Sequence, residues 1–585
     1  MTLLEEPSPR RRSLLLEPVA SPTSSPARRR AELVERGGWS LVWLGVITGG
    51  LGVWGYWVAS PVNVVLAPAV VLIGILGMAA VWWIPSVRSR LFQAATLLGV
   101  LASVMIPRGI GIHVRQYYTT DSAAFDHVAA QALLHGADPY TTSMSAAGEL
   151  LNVPALFWTY TVNGTHVSHV SYPAGSFLVD VPALALGFLH LPVDWTDLIA
   201  WLITGALLFV LLPSWLRWLG GLVILSPIFS AAFSAGGTDA AFLPFLVLAV
   251  WRWDRFGRGR EAGLARWMGP VALGLACAVK QTPWFCVPFL ALGVALEARR
   301  DGRRPVRVLL RYLNVVVAVF TVVNLPFIVW QPQAWAHGTL IPFMEPLVAD
   351  GQGLVSLATH GFAGGVNLSL LAWAAGLAYL TVLGAFVLRY RSFKRVWLLL
   401  LPVAFFFSAR SLANYLVDLF PAAVVAMTTV ASPGPVPARP PSTDRRHVPT
   451  RVLPLVAGVV GVVVLSVVAF TGPTLQLSVK DVYRSEAGGF MGSVVVSVHN
   501  NTGTTLTPSF LVDTGDSHPA GFWFRADGRP VVVGPHSSVT VRLRPPTDID
   551  QPTIGTLWLV EAYVAHPDSL SSSPLQTWKG WTLTP

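Results

Sequence analysis

Residues 452–471 read VLPLVAGVVGVVVLSVVAFT, twenty positions without a single charge. A helix of that length rises about 30 Å, the thickness of a bilayer's hydrocarbon core. On its C-terminal side the pattern changes to short alternating segments such as Ser493–Val498 and Ser538–Leu543, with turns at Asn500-Asn501-Thr502-Gly503 and Asp527-Gly528. Regular strand–turn spacing predicts an antiparallel all-β sandwich over 473–585. On its N-terminal side similar apolar runs recur, beginning with 39–59, 62–84 and 91–107. Of the 585 residues, 53% are hydrophobic and 12% charged, about half the charge of a soluble chain. The prediction is an all-α polytopic membrane bundle of about 11–13 transmembrane helices over 38–472, followed by the β domain. Helices are required because lipid offers backbone groups no other partner.

Charge placement orients the bundle. The net charge is +10, and the cations cluster between apolar runs, where the positive-inside rule puts them rather than where a nucleic-acid-binding face would. Arg88 and Arg90, Arg252–Arg260, Arg299–Arg304, Arg389–Arg395 and Arg439–Arg451 mark the inner side. That places the N-terminus in the cytoplasm and puts the polar loops 108–170 and 331–366, the Ser408–Asn414 junction and the β domain outside a plasma membrane. Residues 1–37, rich in Pro, Ser and Arg, read as a disordered cytoplasmic tail. Between 172 and 252 there are four apolar segments where the alternation needs an odd number, so one is re-entrant or fused. Cys277 and Cys286 lie in apolar sequence and read as buried, inert thiols.

Two places concentrate polar chemistry. The outer loop contains DSAAFDHVAAQALLHGADPY, Asp121 to Tyr140. Asp121 after two threonines and Gly136 after Leu134 bracket a capped helix. Capping accounts for an Asp there; a carboxylate at the outer membrane boundary also serves as a general base if burial tunes it. Asp126 follows by five residues, about 140° of rotation, so the two acids do not share one site and Asp121 is favoured for a cavity. His127 and His135 read as structural or exposed. The second place is the apolar segment 269–297, broken at Lys280-Gln281-Thr282-Pro283. It reads as a hairpin of two helices with Lys280 at the tip, since proline removes a helix hydrogen bond. A lysine there either snorkels to headgroups or serves a site. With Arg410 it can grip a phosphate. His360 and Glu345 are lesser candidates, and Asp239 reads as the cap of a span. Tyr140 and Tyr172 fit an interfacial belt or a platform for a sugar ring. No HExxH, DxD or His/Cys cluster occurs in the outer loop 108–170, so neither metal nor cofactor is expected.

These motifs together resemble a known group. The Asp121–Tyr140 stretch, Ser171-Tyr172-Pro173, Val279-Lys280-Gln281-Thr282-Pro283 and Arg410 to Tyr415, in that order over roughly 40–430, are similar to the polyprenyl-phosphate-sugar-dependent glycosyltransferases of the GT-C superfamily. The likeness is greatest to the bacterial mannosyltransferase-like branch, glycosyltransferase family 87. The resemblance implies that Asp121 deprotonates an acceptor hydroxyl, and that Lys280 and Arg410 hold the donor phosphate; Asp126, Tyr140, Tyr172 and His360 are further candidate substrate-binding residues read from their positions. It implies a metal-free, inverting transfer of a sugar, mannose or arabinose by likeness, to a cell-envelope glycan or glycolipid. Two features depart from that group. Gly236-Gly237-Thr238-Asp239 stands where relatives often carry Gly-Gln, and the β domain, which could meet acceptor glycan or an envelope protein, is an addition. On residues alone, a lipid or lipid-linked-sugar flippase and a membrane scaffold are the competing classes.

Overall fold

The protein's computed structural model describes residues 26–57, 61–229, 239–258, 266–343, 345–431, 449–485, 489–514, 521–546 and 551–579. Arg260, Arg439, Arg445, Arg446, residues 1–25 and Gly236-Gly237-Thr238 lie outside them. Among the described residues, six helices are long and apolar enough to cross a membrane: Val65–Trp83, Arg90–Val114, Pro192–Leu211, Pro305–Trp330, Leu368–Leu388 and Val452–Ala469. Six shorter apolar helices lie among them. The chain is therefore a helical bundle carrying a C-terminal β domain.

The first helix, α1 (Pro26–Trp57), corrects the tail expected over 1–37 at residues 26–37. Proline opens it, where a missing N–H costs nothing, and Glu32 pairs with Arg36 one turn on at 3.1 Å. Arg36 also donates to the carbonyls of Val81, Ile84 and Pro85, satisfying groups that a helix end leaves unpaired. Arg88 pairs with the buried Glu35 at 2.7 Å. Residues 26–37 are thus tied to the end of the next helix.

In the ambiguous stretch after 172, one apolar segment is short. Residues 175–185 form two pieces of about one turn, Gly175–Leu178 and Val181–Ala185. Eleven residues of helix rise about 16 Å, half a hydrocarbon core. The broken segment forms the expected hairpin, with arms α2 (Met268–Val279) and α3 (Val287–Arg300). Both arms pack against Pro305–Trp330. Both end on the same side: Arg311 stacks 4.4 Å from the Trp267 ring, and Arg258 pairs with Glu297 and with Asp301. Lys394 reaches Glu297 at 3.2 Å as well, so three of the arginine-rich loops meet at one end of the bundle. Cys277 and Cys286 are buried free thiols.

The β domain is one continuous antiparallel sheet curled nearly into a barrel. In chain order its strands are β1 (Gly365–Asn367), β2 (Leu475–Arg484), β3 (Met491–Asn500), β4 (Ser509–Asp513), β5 (Phe522–Arg525), β6 (Ser538–Arg544), β7 (Leu557–Ala565), β8 (Asp568–Ser572) and β9 (Gln576–Thr577). They run β1-β8-β7-β4-β5-β6-β3-β2, with β9 beside β7. Register shifts near Val479/Asp481 and Tyr483/Arg484 bend the β2–β3 ladder. The Leu475 N–H then donates to Ser571 Oγ at 3.0 Å, which brings the edge strand β2 against β8. Trp523, Trp558 and Trp578 fill the interior with Val494, Val496 and Val560.

Strand β1 belongs to the outer loop 331–366, not to the region after 472. Val366 pairs with Leu570. A second apolar core joins Leu511, Phe522 and Leu570 of the sheet to Val348, Val355 and Leu368 of the bundle. Each such side chain is worth about 1.5–3 kcal/mol when fully buried, so the sheet is welded to the helices.

Candidate functional site

The ends of the outer loop's helix, Asp121–Leu134, are set by sequence. Thr120 is the cap, its hydroxyl accepting from the Ala123 N–H at 3.2 Å. At the other end Gly136 takes φ +77°; its N–H donates to Leu133 O at 3.0 Å, and that of Ala137 to Ala132 O at 2.9 Å. Because Thr120 does the capping, the Asp121 side chain is released from that duty, which corrects the capping role read for it. Its Oδ2 instead accepts from the Thr159 N–H at 2.6 Å.

Asp121, Lys280 and Arg410 line one cavity of about 500 Å³. Asp121 is 8% exposed. Burial raises its carboxyl above the usual range, against the Thr159 hydrogen bond and the charge of Arg410, which pull it down. Arg410 lies on a two-residue strand (Arg410–Ser411) that pairs in parallel with Asp350–Gly351. Its Nη1 is 3.4 Å from Val348 O.

Lys280 ends α2 in extended backbone and is buried. It is ion-paired with Asp239, whose other oxygen accepts from the Asn414 side-chain amide. Its Nζ also lies 5.3 Å from the Tyr172 ring centre and 5.4 Å from that of Tyr415, within cation–π range. Snorkelling is therefore excluded for Lys280, and Asp239 is an ion-pair partner rather than the simple cap read from sequence. Gln281 pins the neighbouring chain, its amide donating to Ser171 O at 2.9 Å and Thr339 O at 2.8 Å.

The remaining wall is apolar. Ala372, Ala375 and Gly376, spaced to share one face of the helix Leu368–Leu388, line it with Tyr379, Phe285 and Phe405. Small residues there hollow out the slot. An added Cβ at Gly376 would meet nothing within 4 Å.

Other candidate residues stand apart. Asp126 does not line the cavity; it is fully buried, and Ser176 Oγ donates to its Oδ1 at 2.8 Å, as the 140° offset requires. Tyr140 supports the wall from behind, its hydroxyl donating to Tyr172 O at 2.8 Å, with its ring against Phe177 and Phe327. Tyr172 is in the lining. The His360 ring nitrogen lies 3.1 Å from Ser356 O, outside the cavity. Glu345 is also outside it. Asn414, Tyr415 and Gln281 were not singled out by their spacing; only contact reveals them. Among the described residues, no three His, Cys, Asp or Glu side chains gather to hold a metal ion.

No family model matches the chain, and no curated protein does. A solved structure similar to part of it is that of ArnT from Cupriavidus metallidurans bound to undecaprenyl phosphate, at 18% identity and a TM-score of 0.34. The match covers 58% of this chain and 59% of that one, so the chain spans about three-fifths of the length of that neighbour.

Proposed function

We propose that the protein is a membrane glycosyltransferase that moves a sugar from a polyprenyl-phosphate donor to a cell-envelope glycan or glycolipid on the outer face. The observation that carries this reading is the meeting, in one cavity, of a buried acid, two cations and an apolar slot. The slot suits a prenyl chain, and the cations suit its phosphate. Asp121 Oδ takes the proton of the acceptor hydroxyl as that oxygen bonds to the anomeric carbon. The bond from that carbon to the phosphate oxygen breaks, with inversion, and the electron pair leaves on the phosphate. Arg410 stabilises the charge growing there. Lys280, already balanced by Asp239, contributes mainly to the shape and polarity of the same wall. The sequence resemblance makes mannose and arabinose the sugars to try first.

The test is to reconstitute the purified protein in liposomes with labelled polyprenyl-phosphate mannose or arabinose and an envelope glycan extract. Label moving into glycan is the expected result. Donor consumed by no acceptor, or label crossing the bilayer still attached to its lipid, would overturn the reading, the latter in favour of a flippase.

A further inference from the structure

Tyr563 lies on β7 and is fully buried at the seam between the sheet and the outer loop 345–354. Its hydroxyl is 2.9 Å from Glu561 Oε2 and 3.4 Å from the carbonyl oxygen of Ala349. The next residue, Asp350, is paired with Arg410, and Gly351 with Ser411. Three bonds lock that pair: Asp350 N–H to Ala409 O at 3.1 Å, Gln352 N–H to Ser411 O at 3.0 Å, and Gly353 N–H to Ser411 Oγ at 2.7 Å. Gly351 has φ +120°, and a Cβ there would fall 2.3 Å from the Ser411 carbonyl carbon. The two backbones are therefore in direct contact, and a shift of one carries the other.

Glu561 is 1% exposed, and its Oε1 has no hydrogen-bond partner. Burial beside Asp513 and Asp350 pushes its carboxyl above the usual range. The phenol O–H donates to Glu561 Oε2 and, at longer range, faces Ala349 O, so Glu561 holds the hydroxyl at this seam.

We propose that Tyr563, oriented by Glu561, is a positioning residue for Arg410, and that the C-terminal sheet thereby sets where the cavity's cation stands. What Arg410 does once placed rests on the function proposed above; where it is held does not.

The experiment compares wild type with Tyr563→Phe and Glu561→Gln by amide hydrogen exchange, and in parallel by transfer kinetics. Tyr563→Phe keeps the ring and removes only the hydroxyl, so strand β3 serves as the unperturbed control. The expected result is exchange about five- to tenfold faster at 350–353, the size of one lost hydrogen bond. Donor kcat/KM should fall about tenfold while acceptor KM holds, a split that general loosening would not produce. Glu561→Gln, whose amide oxygen still accepts from the phenol, should keep both exchange and kinetics within about twofold of wild type. Unchanged exchange at 350–353 in Tyr563→Phe overturns the proposal whatever the kinetics, as does faster exchange with unaltered donor kinetics. If wild type transfers no sugar at all, the functional reading fails, and the exchange arm alone decides how Arg410 is held.

Discussion

Replacing Asp121 with Asn tests the proposed chemistry most directly. The substitution keeps the side chain's shape and leaves an oxygen to accept from Thr159 N–H, now 2.6 Å from Oδ2. Exchanging a charge-assisted bond for a neutral one costs about 1 kcal/mol, partly offset because a buried charge is removed. Thermal unfolding should therefore move by only a few degrees. The proton acceptor is lost entirely, and a positioned base contributes roughly 10²–10⁴ in rate, about 3–5 kcal/mol of barrier. Single-turnover transfer from a labelled polyprenyl-phosphate sugar should slow by that factor at unchanged donor KM. The pH profile supplies a second reading. The base works only when ionised, and burial raises its carboxyl; transfer by wild type should thus fall on acidification at a pH above that of an ordinary carboxylate. This limb should vanish in Asp121→Asn. A rate within threefold of wild type, or an acid limb that persists in the variant, would refute the assignment.

Lys280→Met strands Asp239 as a buried, unpaired carboxylate and should cost about 3–5 kcal/mol of stability, read from denaturation in detergent, while Lys280→Met/Asp239→Asn should recover most of it. Donor KM near wild type in that double variant would leave Lys280 with a structural role only. Gly376→Leu extends into the apolar slot, where an added Cβ meets open space; KM should rise about tenfold for long-chain donors, by the loss of a few buried methylenes, and stay level for a short-prenyl analogue. Equal effects on both would move the lipid chain elsewhere. For Asp126, burial raises the carboxyl to about 7. A folded-state value above the unfolded one, about 3.9, means its stabilisation is complete below about pH 4 and lost as pH rises through about 7. Asp126→Asn should thus raise the unfolding temperature at pH 8 relative to wild type by more than at pH 5. A gain independent of pH would contradict this.

Much of this protein was legible without coordinates because the signals are local. An uncharged run such as 452–471 needs no partner to declare its solvent, and the change to alternating segments after it announces strands. The Pro283 break, the Gly136 stop and the five-residue offset between Asp121 and Asp126 follow from backbone geometry within one element. That Asp121 and Asp126 cannot share one site is likewise a matter of angle along one helix; which of them faces the cavity is not.

The tertiary structure decided whatever depends on residues far apart in the chain. Asp239 and Lys280 are 41 positions apart, and no period or spacing links them; an ion pair forms because α2 and the helix starting at Asp239 pack side by side. Strand β1 reads as part of a loop, since three residues carry no alternation, and becomes a strand only when β8 offers its edge. Thr120 rather than Asp121 caps the helix because Thr159, 38 residues on, supplies the N–H that draws the carboxylate away. Local rules fix what an element is; its partners are fixed by the packing of the whole, where a buried charge or an unpaired edge must find its complement wherever the chain brings one.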